Sequence, residues 1–262
     1  MKISKIETIR SPDRAYCWIL LHTDSGHVGL GETYHRADPA EQVVHEFARQ
    51  ILLGSNPENV ESLWDRMYKL ASFHGLMGAE LRAMSGIDTA LWDLQGKVLD
   101  RPLYRLLGGC TNPSIPIYFS GIYDEVAMEK QAVQDWSKQC VDQGWKACKT
   151  ARFFGDFYGN TAGYLSMADL ATGTRRFEWV RQAVGHNLEV GLDLHCAFDV
   201  PSAIRIGQAV RQFAPYFMEE PIQPHNAAAL REVRDSAGVP IAAGERIFSH
   251  WGFRQILELK AA

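Results

Sequence analysis

The stretch LEVGLDLH, residues 188–195, decides how the second half of this chain is interpreted. It is a short apolar run that ends in an acid and an imidazole, Asp193 and His195. Runs of this length are typical of buried strands, and here they alternate with amphipathic helical patterns, which is typical of parallel βα units. The predicted strands are IPIYFSG (115–121), WKACKTA (145–151), LEVGLDLH (188–195), YFMEEP (216–221) and VPIAAGE (239–245).

The first 113 residues follow a different pattern. Strand patterns come first, the last two joined by the turn signal Asp24-Ser25-Gly26, and they predict an antiparallel meander. Helical patterns follow, in which apolar residues recur every three or four positions. The strand patterns are 3–10, 15–23 and 27–32, and the helical patterns are 40–52, 59–71 and 80–99. We therefore predict an α+β domain over residues 1–113, followed by an α/β barrel of the TIM type over residues 114–262.

Composition limits the classes of function. The chain has 262 residues, of which 46% are hydrophobic and 22% are charged, and its formal charge is −4. This balance argues against a nucleic-acid binder, whose surface would be basic, and favours a protein that acts on a small molecule. Five cysteines without a C-x-x-C pair predict reduced thiols rather than disulfides or a zinc site. Because the sequence shows neither a signal peptide nor a membrane-spanning run, we expect a cytoplasmic protein without membrane partners.

Acidic residues at the ends of three predicted strands recur with the spacing of the βα units. Asp193, Glu219 and Glu245 follow one another at intervals of 26 residues. In a barrel of parallel strands such positions face one mouth, at the carboxyl ends where barrel enzymes place their sites. Three anions in one pocket need a counter-charge, and all-oxygen ligands suit Mg²⁺. The sequence therefore predicts that these acids bind Mg²⁺, although for any one of them alone, helix capping or pairing with a basic residue is the better explanation.

His195 is the candidate acid–base residue. Side chains at positions i and i+2 of a strand share a face, so His195 is predicted beside Asp193 and one step nearer the mouth. A histidine there can donate or accept a proton near neutral pH. The alternative is a hydrogen-bonded histidine that only shapes the rim.

Four segments carry a resemblance to a known family: SGIDTALWDLQGKVLDRPLYRLLGG (85–109), DLH (193–195), EEP (219–221) and AAGERIFS (242–249). Through them the chain resembles the enolase superfamily, and within it the mandelate racemase and muconate lactonizing enzyme group. The resemblance spans nearly the whole chain. It implies a capping α+β domain over a modified TIM barrel, with Mg²⁺ held by the acids that end the third, fourth and fifth barrel strands, here Asp193, Glu219 and Glu245.

The resemblance also implies a reaction. Family chemistry begins with removal of the proton next to a carboxylate, and Mg²⁺ stabilises the resulting enediolate. In D-x-H members similar to galactonate dehydratase, the histidine at the position of His195 protonates the departing hydroxyl group. The chain is then expected to be a hydro-lyase of carbohydrate-acid catabolism, which converts an aldonate such as galactonate, gluconate or mannonate to a 2-keto-3-deoxy acid.

The second predicted barrel strand separates the subgroups of this family. Racemases and cycloisomerases of the family carry K-x-K there, with the second lysine as base, but this chain reads Lys149-Thr150-Ala151. Ala151 cannot take a proton, which favours a dehydratase over the alternative, a racemase or epimerase of the same superfamily. Lys149 is then expected to bind or polarise the substrate. Pairing with a barrel acid is its alternative role, and the two roles are compatible.

Loops supply the candidate substrate contacts. Arg152 and the Gly-, Phe- and Tyr-rich stretch 153–174 are predicted to form a long loop that folds over the site as a lid. Tyr158 in this stretch is a second candidate, and His35 and His74 are two more, in loops that the resemblance places over the substrate. For the tyrosine the alternative role is to anchor the loop, and for the histidines it is a simple surface position.

The barrel-like part is short. It runs from residue 114 to residue 262, whereas a TIM barrel takes about 250 residues. We therefore expect a C-terminally truncated chain without strands six to eight, and without the histidine that removes the α-proton in galactonate-type dehydratases. A non-catalytic fragment that at most binds metal or self-associates is the alternative. Because family members form symmetric oligomers, a homo-oligomer is expected.

Overall fold

The computed structural model divides into two compact units, Met1–Ser114 and Ile115–Ala262. The first is an α+β unit and the second is a parallel-stranded α/β unit, which confirms the predicted fold class. The residues that the structure describes are 1–34, 37–73, 75, 77–121, 128–151, 153–155 and 163–262. No helix among these residues is both long enough and apolar enough to cross a membrane.

The first unit begins with the predicted meander. The antiparallel order is β1-β2-β3, with β1 at Ile3–Arg10, β2 at Tyr16–Thr23 and β3 at Val28–Tyr34. The predicted turn holds Gly26 at a φ of 86°, a left-handed conformation that glycine adopts without strain. Along β2 every second residue is buried, so one face of the sheet belongs to the core of the unit.

Helical segments follow this sheet along the chain. They are α1 (Ala37–Phe47), a π-helical turn (Ala48–Leu52), α2 (Val60–Ala71), α3 (Ala79–Val98) and α4 (Leu103–Leu106). α3 lies directly against β3, because Gly29 and Gly31 on the strand and Gly86 on the helix let the two backbones approach. A Cβ atom on Gly31 would overlap the carbonyl oxygen of Gly86.

Gly31→Ala is therefore expected to destabilise the first unit. The added methyl group meets backbone rather than a flexible side chain, so its accommodation requires α3 to move away from β3. Overpacking of this kind costs about 1–3 kcal/mol, and we expect the upper end of that range in urea unfolding. Gly26→Asn is the matched control, since its site is open and asparagine tolerates a left-handed backbone. Equal stabilities of the two variants would contradict the close strand–helix contact.

α3 also carries a carboxyl group, that of Asp88, whose ionised form is disfavoured in the folded protein. Burial, together with the nearby charge of Glu61 on α2, raises the pKa of Asp88 above its ordinary value. A carboxyl with a raised pKa binds its proton more tightly in the folded protein, so stability is lost as pH rises through the folded-state pKa. Asp88→Asn removes this loss. The variant is expected to have a larger free energy of unfolding than the wild type at neutral pH.

Urea unfolding over a range of pH measures this effect. The gain from Asp88→Asn is expected to shrink as pH falls and to vanish below about pH 3, where the carboxyl is protonated in both the folded and unfolded states. Glu61→Gln removes only the secondary cause and is expected to give a smaller gain. A gain from Asp88→Asn that is the same at every pH would contradict the raised pKa.

The second unit is a sheet of parallel strands in chain order. Within the described residues the order is β4-β5-β6-β7-β8, and each strand is followed by a helix, as in consecutive βα units of a TIM-type barrel. The strands are β4 (Phe119–Ser120), β5 (Ala147–Ala151), β6 (Glu189–Asp193), β7 (Met218–Glu219) and β8 (Ile241–Ala242). The helices are α5 (Lys130–Asp142), α6 (Met167–Val184), α7 (Val200–Val210), α8 (Ala227–Ala237) and α9 (Ser249–Leu259).

The core of the second unit lies between its strands and its helices. Val190 and Leu192 of β6 are fully buried, as are Phe177 of α6 and Ile206 of α7. Because apolar side chains cover the strands in this way, polar groups concentrate where the strands end. The carboxyl ends of β5, β6 and β7 carry the residues of the candidate site.

One predicted loop is shorter than expected. α6 begins at Met167, so residues 167–174, predicted as part of the lid, are helical. Ser166 starts the helix, since its hydroxyl oxygen accepts a hydrogen bond from the backbone N–H of Asp169 at 3.1 Å. The prediction was wrong because Gly173 is not a loop residue. Its missing side chain leaves room for the ring of Phe154 against the helix.

Candidate active site

The carboxyl ends of the parallel strands bring two of the predicted acids side by side. Ala151 pairs with Asp193, and Asp193 pairs with Glu219, so the ends of β5, β6 and β7 lie level. Glu219 then pairs with Ala242 and not with Glu245. The equal spacing of the three acids predicted that Glu245 would lie level with Glu219, and this was wrong. The residue of β8 that lies level with Glu219 is Ala242, three residues before Glu245. Glu245 lies in the turn after β8.

Lys149 contacts both of the level acids. Its Nζ is 2.9 Å from Oδ2 of Asp193 and 2.9 Å from Oε2 of Glu219. The side chains of Lys149, Asp193 and Glu219 are nearly buried, with 12%, 2% and 14% of their surfaces exposed. Burial alone would lower the pKa of Lys149, but the hydrogen bonds to Glu219 and Asp193 outweigh burial and raise it. The lysine is therefore charged, and its predicted alternative role, pairing with barrel acids, is confirmed.

His195 contacts Asp193 as well. Its Nε2 is 3.1 Å from Oδ2 of Asp193, and its backbone N–H donates to Oδ1 at 3.1 Å. The two side chains are neighbours, but the predicted reason was wrong: β6 ends at Asp193, and His195 has a left-handed φ of 47° rather than a place on the strand face. Burial would raise the pKa of Asp193, but hydrogen bonds from His195 and Lys149 outweigh burial and lower it. Asp193 is thus an ionised carboxylate that orients an imidazole and an ammonium group.

Glu245, the third predicted ligand, is bound to an arginine. Its side chain is 45% exposed, and its Oε1 is 2.7 Å from Nη1 of Arg246. Burial, together with the charges of Asp193 and Glu219, raises the pKa of Glu245, so the three carboxylates are close enough to repel one another. In the described part of the chain, no three His, Cys, Asp or Glu side chains are arranged so that they could hold a metal ion.

A second polar cluster, which was not predicted from the sequence, adjoins these residues. Oε2 of the buried Glu220 is bound by the guanidinium group of Arg246 and by the thiol of Cys196, whose Sγ is 3.0 Å away. Burial raises the pKa of Cys196 to about 11, so the thiol is protonated and donates. Glu220 and Arg246 stand in the EEP and AAGERIFS segments, but nothing in either segment signals that the two residues pair.

The predicted substrate contacts lie outside the described residues. Arg152, Tyr158, His35 and His74 are the residues concerned, and each stays a prediction. The site that the structure describes therefore consists of Lys149 and the residues at the ends of β6, β7 and β8.

Comparison with known proteins gives the family. Residues 131–262 match the family described as enolase C-terminal domain-like, and residues 6–108 match the mandelate racemase / muconate lactonizing enzyme, N-terminal domain. The chain belongs to the mandelate racemase and muconate lactonizing enzyme group of the enolase superfamily. Members of this superfamily are enzymes, so the cluster at the strand ends is a candidate active site.

Solved structures of the same superfamily are similar to this chain over nearly its whole length. An enolase of the mandelate racemase subgroup from Agrobacterium tumefaciens is 32% identical, with a TM-score of 0.89, over 100% of this chain and 69% of that chain. A member of the enolase superfamily from Salmonella Typhimurium is 30% identical, with a TM-score of 0.91, over 99% and 71%. A protein from Zymomonas mobilis described as a candidate dehydratase is 30% identical, with a TM-score of 0.88, over 99% and 71%.

Proposed function

We propose that this mandelate racemase group member is a Mg²⁺-dependent sugar-acid dehydratase, a hydro-lyase that forms a 2-keto-3-deoxy acid. The observation that carries the proposal is a partly exposed imidazole, His195, held 3.1 Å from the buried carboxylate of Asp193 beside the ammonium group of Lys149. This set offers a proton donor and a cation for an acidic substrate. The likeness to a Zymomonas mobilis protein described as a candidate dehydratase also supports it.

The acidic residues fit a divalent cation by their chemistry. Asp193, Glu219 and Glu245 supply carboxylate oxygens, which hard cations such as Mg²⁺ prefer. Lys149 offsets only one of these three negative charges, so a divalent ion would complete the balance. We propose that these carboxylates hold Mg²⁺, which when bound would stabilise negative charge developing on the substrate carboxylate.

His195 is proposed as the general acid of the reaction. Its side chain is 20% exposed, and Asp193 holds the ring in place through Nε2. A protonated imidazole carries a proton that it can give up near neutral pH. Once a base outside this group of residues has taken the α-proton, the ring would give this proton to the departing hydroxyl oxygen, so that the carbon–oxygen bond breaks with loss of water rather than of hydroxide.

Lys149 is proposed to bind the substrate carboxylate. An ammonium group has three donors and no acceptor. Oxygen atoms of Asp193 and Glu219 lie 2.9–3.0 Å from its Nζ, and its positive charge also attracts an oxygen atom of the substrate. In this way the lysine can pair with the barrel acids and polarise the substrate at the same time.

Ala151 argues against racemisation, because alanine cannot act as a base. In the related racemases a second lysine stands at this position of the strand, whereas Ala151 is buried and has no group that can take a proton. A chain with one acid–base residue on this part of the sheet is better suited to eliminate water than to invert a stereocentre. Exchange of the α-proton with solvent deuterium, without loss of water, would favour a racemase or epimerase instead.

We further propose a cytoplasmic homo-oligomer that acts on a small molecule, not on nucleic acid or membranes. The formal charge of −4 supports a small-molecule substrate over a nucleic acid. Galactonate, gluconate and mannonate are the candidate aldonates. Arg152, Tyr158, His35 and His74 are the candidate residues for recognising them.

A panel of aldonates tests the proposed function. The full-length protein is incubated with each acid and Mg²⁺, and 2-keto-3-deoxy acid is measured, with an EDTA-treated sample as control. We expect product from at least one aldonate and none after EDTA treatment. Absence of product from every aldonate would reject the dehydratase. A folded protein that binds Mg²⁺ but neither forms product nor exchanges the α-proton would instead indicate a non-catalytic chain.

A further inference from the structure

Arg246 joins two carboxylates of different character. Its Nη1 is bound to Oε2 of Glu220 and lies 2.7 Å from Oε1 of Glu245. The side chain of Glu220 is 1% exposed, whereas that of Glu245 is 45% exposed. One partner of the arginine is therefore buried inside the protein, and the other is partly exposed at the surface.

Glu220 is a firm anchor for the arginine. Its backbone N–H donates to the carbonyl oxygen of Ala242 at 2.9 Å, and its own carbonyl oxygen accepts from the N–H of Cys196 at 2.7 Å. The thiol of Cys196 also donates to its carboxylate. Removal of the guanidinium group would leave a buried carboxylate without a counter-charge, which is strongly unfavourable. Arg246 is therefore expected to stay at Glu220, whichever partner Glu245 takes.

Glu245 has two competing environments. On one side the guanidinium group of Arg246 attracts it at 2.7 Å. On the other side the negative charges of Asp193 and Glu219 repel it, since Lys149 offsets only one of them. Without a metal ion, the arginine is the better partner. A divalent cation beside Asp193 and Glu219 would reverse the sign of the local field and attract Glu245.

We propose that Arg246 is a positioning residue that holds Glu245 apart from Asp193 and Glu219 and releases it to a divalent cation. The proposal rests on the proposed function, because it takes these three acids as the cation site. Two consequences follow. The cation competes with Arg246 for Glu245 before it gains a third carboxylate, so the pair weakens cation binding. The same pair gives Glu245 a cationic partner in the cation-free protein.

Calorimetric titration with Mg²⁺ measures this competition in four proteins: wild type, Arg246→Met, Glu245→Gln and the double variant. Arg246→Met frees Glu245 and is expected to lower the Kd for Mg²⁺ by about fivefold or more. In the Glu245→Gln background there is no carboxylate to free, so the same substitution is expected to change Kd by a clearly smaller factor. Equal factors in the two backgrounds would show that Arg246 acts only through its general charge and would overturn the proposal.

Two controls keep the test decisive. Arg254→Met removes an equal charge from an exposed pair with Glu258 on α9 and is expected to leave Kd unchanged. If Arg246→Met fails to fold because Glu220 is left unpaired, the same four-protein comparison is made in a Glu220→Gln background, with the same criterion. Absence of Mg²⁺ binding in the wild type would also overturn the proposal. If the protein bound Mg²⁺ and Arg246→Met changed Kd by different factors in the two backgrounds, but no dehydration product formed, only the proposed reaction would be contradicted.

Discussion

Replacing His195 by asparagine is expected to lower kcat for dehydration by about 10²- to 10⁴-fold, the range that general acid catalysis contributes. The asparagine amide can still donate to Asp193, which His195 contacts at 3.1 Å, but it has no proton to transfer. The loss therefore falls on the step in which water leaves. KM for the sugar acid is expected to change much less than kcat.

A substrate with a better leaving group separates proton donation from a structural role. Fluoride leaves without protonation by a strong acid, so an analogue with fluorine in place of the departing hydroxyl should restore much of the rate that His195→Asn loses. His186→Asn is the matched control, since this exposed histidine precedes β6 at the end opposite the site. If the asparagine variant were equally slow on both substrates, His195 would only shape the rim.

The neighbouring positions of Asp193 and Glu219 could be predicted from the sequence. Both acids end an apolar run, and the carboxyl ends of adjacent parallel strands meet at one edge of a sheet. The position of Glu245 could not be predicted in the same way. Pairing of Glu219 with Ala242 fixes the register of β8, and register depends on how the connecting segment packs rather than on the number of residues between two acids.

The pair between Glu220 and Arg246 could not be predicted either. Glu220 directly follows Glu219, and alternation along a strand would place the two side chains on opposite faces. A left-handed φ of 44° at Glu220 ends that alternation, so face assignment from the sequence no longer holds. The same is true of His195, at a φ of 47°. Strand periodicity locates where the site begins, but the turns that complete the site follow no such period.

Replacing Lys149 by methionine is expected to lower the free energy of unfolding in cation-free buffer by about 3–5 kcal/mol, the usual loss when one partner of a buried ion pair is removed. Methionine keeps most of the volume of the lysine stem, so the loss comes from charge rather than from a cavity. Asp193 and Glu219 are 2% and 14% exposed, and without the ammonium group they would face each other without the positive charge that lies between them.

Mg²⁺ should then stabilise the methionine variant more than the wild type. A ligand that binds only the folded state adds about 2.7 kcal/mol at one hundred times its Kd, and in the variant no ammonium group competes with the ion for Asp193 and Glu219. Urea unfolding in EDTA and in excess Mg²⁺ measures both effects.

Lys146→Met, at an exposed lysine close to β5, is the control and is expected to change stability by less than about 0.5 kcal/mol. If Lys149→Met were as stable as the wild type in EDTA, Lys149 would not be the counter-charge of the two acids. If it were destabilised but indifferent to Mg²⁺, the lysine would hold the acids together while the proposed cation site would be lost.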